Sequence, residues 1–172
     1  MTTQGGLINT PALALQYYRA KEDPHEDSTI GLWDRLFNKY FEDNIWIVTP
    51  QKRQPNAERP DFIIEKLVSN NQFVEVIVVE GKPQEQTMSQ DYSADIQVLN
   101  YARTALQAGM QRGQRKIFAL RVVGVNLMAY RVTANDLTAL TPLATDYMDP
   151  KQHHQAMLQV FQNIKTADVM AP

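Results

Sequence analysis

Cysteine is absent from the 172-residue chain, which excludes disulfides and thiolate metal centres. Only three histidines are present, so a zinc-type ligand set is short of nitrogen donors as well. Glycine is scarce at seven residues, and neither a Gly-x-Gly-x-x-Gly fingerprint nor a Gly-x-x-x-x-Gly-Lys phosphate loop occurs. A Gly-x-Ser-x-Gly elbow is missing too, which removes support for a serine hydrolase. No apolar run approaches the roughly 18 residues of a membrane span, and Met1 to Pro11 lacks the basic and apolar regions of a secretory signal. These absences predict an intracellular protein of the cytoplasm or nucleus with no membrane partner. Positive charge is also not in excess: the net charge is -2 and the pI near 5.9, without the basic footprint of a dedicated nucleic-acid binder. A local basic rim is still available from Lys52, Arg53, Arg59, Arg103, Arg112, Arg115 and Lys116.

What is present, 44% hydrophobic and 21% charged residues, fits one globular α/β domain over residues 1–172 with a sizeable core. Thr10-Pro11 makes a cap and first-turn pair for a short helix through Tyr18. Asp27 or Ser28 suits the cap of a second helix, whose Leu32, Trp33, Leu36, Phe37, Tyr40 and Phe41 form a broad apolar face. Residues 45–48 read as a short strand and residues 51–59 as a polar connection. Residues 92–111 read as an amphipathic helix burying Ile96, Leu99, Ala102, Ala105 and Leu106 and stopped by Gly109 and Gly113. Residues 116–123 and 127–132 are further strands, and residues 152–164 a last helix. Trp33, Trp46, Phe73 and Phe118 read as core aromatics.

Residues 61–68 and 73–80 are rich in β-branched and aromatic side chains and flank Ser69-Asn70-Asn71-Gln72, the pattern of a β-hairpin. Asn tolerates positive φ, so Asn70-Asn71 suits a two-residue type I′ turn. The symmetric register pairs Lys66 with Glu75, Ile64 with Ile77, Phe62 with Val79 and, at the open end, Asp61 with Glu80. Paired residues hold their Cβ atoms about 4.5–5.5 Å apart, and Lys82 shares the Glu80 face. Two carboxylates so placed repel each other, and a divalent cation reverses that repulsion. Asp61 and Glu80 therefore read as ligands of Mg²⁺ or Mn²⁺. Lys82 beside them suits orienting or deprotonating a water, or stabilising charge on a phosphate. A one-residue bulge would spoil this geometry. Pro83 and the polar run to Gln90 read as a loop near the site. On the helix that follows, Gln97 and Tyr101 are i and i+4, hence on one face.

Pro60-Asp61, Glu80-Gly81-Lys82 and the order of elements around them resemble the PD-(D/E)XK, or restriction-endonuclease-like, nuclease superfamily over residues 28–132. Gln97-x-x-x-Tyr101 has the spacing that RecB-like members carry on the helix after the catalytic lysine. Residues 28–82 also resemble small superfamily members found in fungal genomes. The resemblance implies an α-β-β-β-α-β core, a mixed central sheet flanked by helices. It implies metal ligation by Asp61, Glu80 and the Gly81 carbonyl, catalysis by Lys82, and support from Gln97 and Tyr101. The implied activity is Mg²⁺- or Mn²⁺-dependent phosphodiester hydrolysis in nucleic acid, with DNA as the expected partner. The superfamily often adds a Glu on its first helix. None lies in the apolar-faced part of this one, and Asp34 is the expected substitute in the metal site, with Glu42 and Asp43 as rivals. Two alternatives stay open: a catalytically silent module of the same fold that binds nucleic acid or a protein partner, and an unrelated α/β domain. A homodimer is compatible with the sequence.

Overall fold

The computed structural model describes residues 6–42, 44–69, 71–84 and 92–172. Asp43, Asn70 and residues 85–91 of the loop expected after Lys82 lie outside the described residues. Two helices open the chain, α1 (Pro11–Glu22) and α2 (Glu26–Tyr40), followed by strands β1 (Trp46–Pro50), β2 (Phe62–Val68) and β3 (Gln72–Lys82). Then come α3 (Tyr92–Met110), β4 (Lys116–Val123), β5 (Asn126–Thr133), β6 (Asp136–Pro142) and α4 (His154–Thr166). The strands form one six-stranded sheet in chain order. All neighbours are antiparallel except β3 and β4, which run parallel. A parallel pair needs a long crossover, and α3 supplies it.

Helices cover both faces of the sheet. On one face α2 buries Leu32, Trp33, Leu36 and Phe37, and α4 buries Met157, Val160, Phe161 and Ile164. The Phe37 ring meets Phe41, Phe62 and Phe161, and Trp33 Nε1 donates to Gly124 O at 2.8 Å, pinning α2 to the β4–β5 turn. On the other face α3 packs Val98, Ala102, Ala105 and Leu106 against Ile63, Val78, Ile117 and Ala119. Among the described residues no helix is long and apolar enough to cross a membrane.

The helix starts follow the expected chemistry only in part. Thr10 caps α1 by accepting from Leu13 N. By contrast α2 begins at Glu26 behind His25, so Asp27 and Ser28 lie inside its first turn, and the Ser28 hydroxyl donates to Asp23 at 2.6 Å instead. Ile96, expected in the core, is 58% exposed, and Phe73, beside the hairpin turn, is 37% exposed. The edge strand β6 was not expected, since little of Asp136–Pro142 is buried and no inward-facing apolar alternation marks it.

The hairpin departs from its expected register and then returns to it. Three residues, 69–71, separate the terminal pair Val68↔Gln72, and Asn71 is left-handed at φ 56°. Near the turn Lys66 therefore pairs with Val74 rather than Glu75, and Glu65 faces Glu75. Lys52 reaches both of these like charges, at 2.6 and 3.1 Å. A bulge at Val76 then resets the ladder, so that Ile64 faces Ile77 and Phe62 faces Val79 as expected. Consecutive Val76 and Ile77 both pack into the same core, whereas strict alternation would send them to opposite faces. The longer turn and the bulge cancel, and the register at the open end survives.

Candidate active site

A row of polar side chains crosses the sheet at the C-terminal end of β3. The β1–β2 ladder ends at Pro50↔Phe62, and one step further Gln51 N donates to Asp61 O at 3.0 Å. The β2–β3 ladder opens at Phe62↔Val79, so the next step sets Asp61 across from Glu80. Glu80 in turn faces Arg121 on β4. Gln51, Asp61, Glu80 and Arg121 thus stand side by side.

The Asp61 carboxylate is held through both oxygens. Oδ2 accepts the Gly81 N–H at 2.7 Å, and Oδ1 accepts Gln51 Nε2 at 2.9 Å. Lys82 Nζ donates to Glu80 Oε1 at 2.8 Å. Asp61 is 8% exposed and Glu80 4%, and that burial dominates their electrostatics, since desolvation penalises the charged form. Desolvation pushes Glu80 up to about 7; the Lys82 bond opposes this, while the charges of Asp61 and Glu26 add to it. Asp61 is also raised, because burial outweighs the Gly81 N–H, the Lys82 charge and the Gln51 amide. Burial pulls the Lys82 amine down, but Glu80, Glu26 and Asp61 more than offset it and hold the ammonium above its ordinary range.

Glu26, the first residue of α2, reaches the same group, with Oε2 3.9 Å from Lys82 Nζ. Asp34 does not. It lies two turns further on, about 12 Å along the helix axis, and its carboxylate accepts from Asn38 Nδ2 at 3.1 Å. Glu42 is exposed beyond the helix end, and Asp43 lies outside the described residues. Glu26 escapes a reading that looks for a Glu on the apolar face, because it approaches from the helix start.

Glu80 and Glu26 flank the Lys82 ammonium at 2.8 and 3.9 Å, and Asp61 acts on it through its charge, so carboxylates outnumber the one cation. Among the described residues no group of three or more His, Cys, Asp or Glu side chains is gathered to hold a metal ion. The donor set is instead a pair of buried carboxylates. That pair fits Mg²⁺ or Mn²⁺, hard cations of the kind that take one or two carboxylates and keep waters and substrate oxygens as their other ligands.

From α3, Gln97 Nε2 donates to the Tyr101 hydroxyl at 2.8 Å. Burial raises that hydroxyl; the Gln97 bond opposes the shift, and the charges of Glu80, Glu58 and Asp61 add to it. Tyr101 therefore stands in the field of both site carboxylates. Arg121, 2% exposed, pairs with Asp95 at 3.0 Å and ties the first turn of α3 to β4 beside Glu80. The strand pattern alone does not mark it as part of the site. Its signal was a lone cation inside the apolar run of residues 117–123, where an unpaired charge would be costly.

A side chain at Gly81 would require the end of Ile30 to shift, with Val122 Cγ2 also close at 3.3 Å. A Cβ there would meet Ile30 Cδ1 at 2.7 Å and Asp61 Oδ2 at 3.4 Å. Gly81→Ala is expected to lower stability by about 1–3 kcal/mol through overpacking. The urea midpoint of the variant checks this, and an unchanged midpoint would show that Ile30 yields freely.

No family model and no curated protein matches the chain. Solved structures do match. A chain of the DrdV–DNA complex, determined by cryoEM, aligns over 92% of this chain and 14% of its own length at 12% identity, with a TM-score of 0.50. BpuSI, a type IIG restriction endonuclease, aligns over 86% of this chain and 16% of its own at 14% identity, with a TM-score of 0.51. The chain thus spans less than a fifth of the proteins it matches, and the likeness is one of fold. The protein has a restriction-endonuclease-like fold, a mixed six-stranded sheet flanked by helices.

Proposed function

We propose that the protein is a metal-dependent nuclease that hydrolyses phosphodiester bonds in nucleic acid, with DNA as its substrate. The observation that carries this reading is the pair of buried carboxylates, Asp61 and Glu80, with Lys82 bonded to Glu80 at 2.8 Å. Two acids cost stability when buried together, and a site for a divalent cation accounts for both. DNA comes from the fold comparison, through the DNA-bound DrdV complex and the restriction endonuclease BpuSI.

Asp61 and Glu80, with the Gly81 carbonyl, would hold Mg²⁺ or Mn²⁺. A bound ion of this kind supplies a water of lowered pKa and offsets charge on the phosphoryl oxygens. Without the ion, Glu80, Glu26 and Asp61 favour the Lys82 ammonium; beside a bound ion Lys82 would orient or help deprotonate the attacking water, or stabilise the charge developing on the phosphate. Glu26, rather than the expected Asp34, is the helix carboxylate that would steady Lys82. The Gln97–Tyr101 pair, on the face of α3 turned to the carboxylates, supports the site as in the RecB-like variant.

The test is a cleavage panel of single-stranded, double-stranded and branched DNA and RNA, with Mn²⁺ and with chelator. Ion-dependent cleavage of a DNA substrate is the expected result, and no cleavage of any substrate at stoichiometric protein would contradict the proposal. A second reading, a silent module of the same fold, draws on the internal pairing of Lys82 with Glu80 and on the net charge of -2. It predicts an inactive panel together with no heat of Mn²⁺ binding at millimolar ion.

A further inference from the structure

Asp61 is anchored by a residue outside the set that carries the proposed chemistry. Gln51 follows β1 directly and is joined to Asp61 twice, by backbone N–H to Asp61 O at 3.0 Å and by Nε2 to Asp61 Oδ1 at 2.9 Å. It does so from a left-handed backbone, φ 50°, a region that residues other than Gly and Asn adopt at a cost. The rest of the connection between β1 and β2 holds that position in place. Gln54 N donates to Glu58 O at 2.8 Å and Ala57 N to Gln54 O at 2.9 Å, while the buried Gln54 side chain donates to Tyr101 O at 2.9 Å. The segment is thus closed on itself and bonded through Gln51 to Asp61 and through Gln54 to α3.

We propose that Gln51 is a positioning residue for Asp61: its amide fixes the rotation of the carboxylate that receives the divalent cation, so cation affinity depends on it. The inference rests on the metal-dependent reading above. The terminal torsion of an Asp side chain is broad, and a carboxylate anchored through Oδ2 alone loses that freedom when it takes a ligand. Gln51 removes the freedom beforehand, which is preorganisation. Partners that orient metal ligands typically carry about 10–100-fold in metal affinity.

Calorimetric titration of the full chain with Mn²⁺ tests this on wild type, Gln51→Met and Gln51→Gly. Met keeps the length of the side chain without its N–H donor, whereas Gly removes the side chain and suits the left-handed backbone. Both variants are expected to bind Mn²⁺ about 10–100-fold more weakly, although Gln51→Gly melts above Gln51→Met. A role confined to folding the connection would give the reverse, with affinity kept and melting lowered. Wild-type affinity in both variants overturns this inference and leaves the nuclease reading standing. No Mn²⁺ binding by the wild type overturns both.

Discussion

Glu80→Gln is expected to stabilise the metal-free protein by about 3 kcal/mol at pH 8 and by almost nothing at pH 4. The Glu80 carboxyl moves from its ordinary 4.5 to about 7 on folding, chiefly because it is desolvated. A raised value means that the folded state binds the proton more tightly. Its contribution to stability is complete below the unfolded value and is lost as pH rises through about 7. Above that pH the wild type buries a carboxylate, which the amide avoids. Urea unfolding of both proteins in chelator from pH 4 to 8 checks this, and a stability difference that does not change with pH would contradict it. Saturating Mn²⁺ should reverse the order at pH 8, because only the wild type gains stability from binding the ion. A site that is costly when empty and repaid by its ligand is what a stability–function compromise predicts.

Lys82→Ala is expected to lower the single-turnover cleavage rate about 10³-fold, equivalent to roughly 4 kcal/mol of transition-state stabilisation. The loss should fall on the chemical step, with substrate affinity changed little, since one ammonium contributes modestly to binding compared with the charge it meets in the transition state. The measurement uses the best substrate of the cleavage panel at saturating Mn²⁺. A rate within tenfold of wild type would remove Lys82 from the chemistry and leave it as the structural counter-ion of Glu80.

Much of this site was legible because its residues sit on strands, where a period of two fixes the face once one pairing is known. The pairing of Asp61 with Glu80 was inferred from a two-residue turn that the chain does not make. The open end nevertheless keeps Phe62 opposite Val79, because the bulge at Val76 restores the register lost at the turn. A hairpin sequence does not reveal such compensation, since the extra residue is another apolar Val among many. Gln97 and Tyr101 were legible for the same kind of reason, with helical spacing placing both on one face. Glu26, Gln51 and Arg121 were not. Glu26 is fixed by the angle at which α2 meets the end of β3, a tertiary quantity with no local signature. Gln51 depends on a left-handed residue in a polar connection, where nothing in the residue type announces the backbone. Edge strand β6 was missed because it is mostly exposed and lacks the inward apolar alternation on which strand reading relies.

A crystal soaked in Mn²⁺ and measured at a wavelength that gives manganese an anomalous signal tests the central claim most directly. One peak lying between the carboxylates of Asp61 and Glu80, and absent from Asp61→Asn crystals treated alike, is the predicted result. No peak at that position, or manganese only at another acidic pair such as Glu65 and Glu75, would contradict the account.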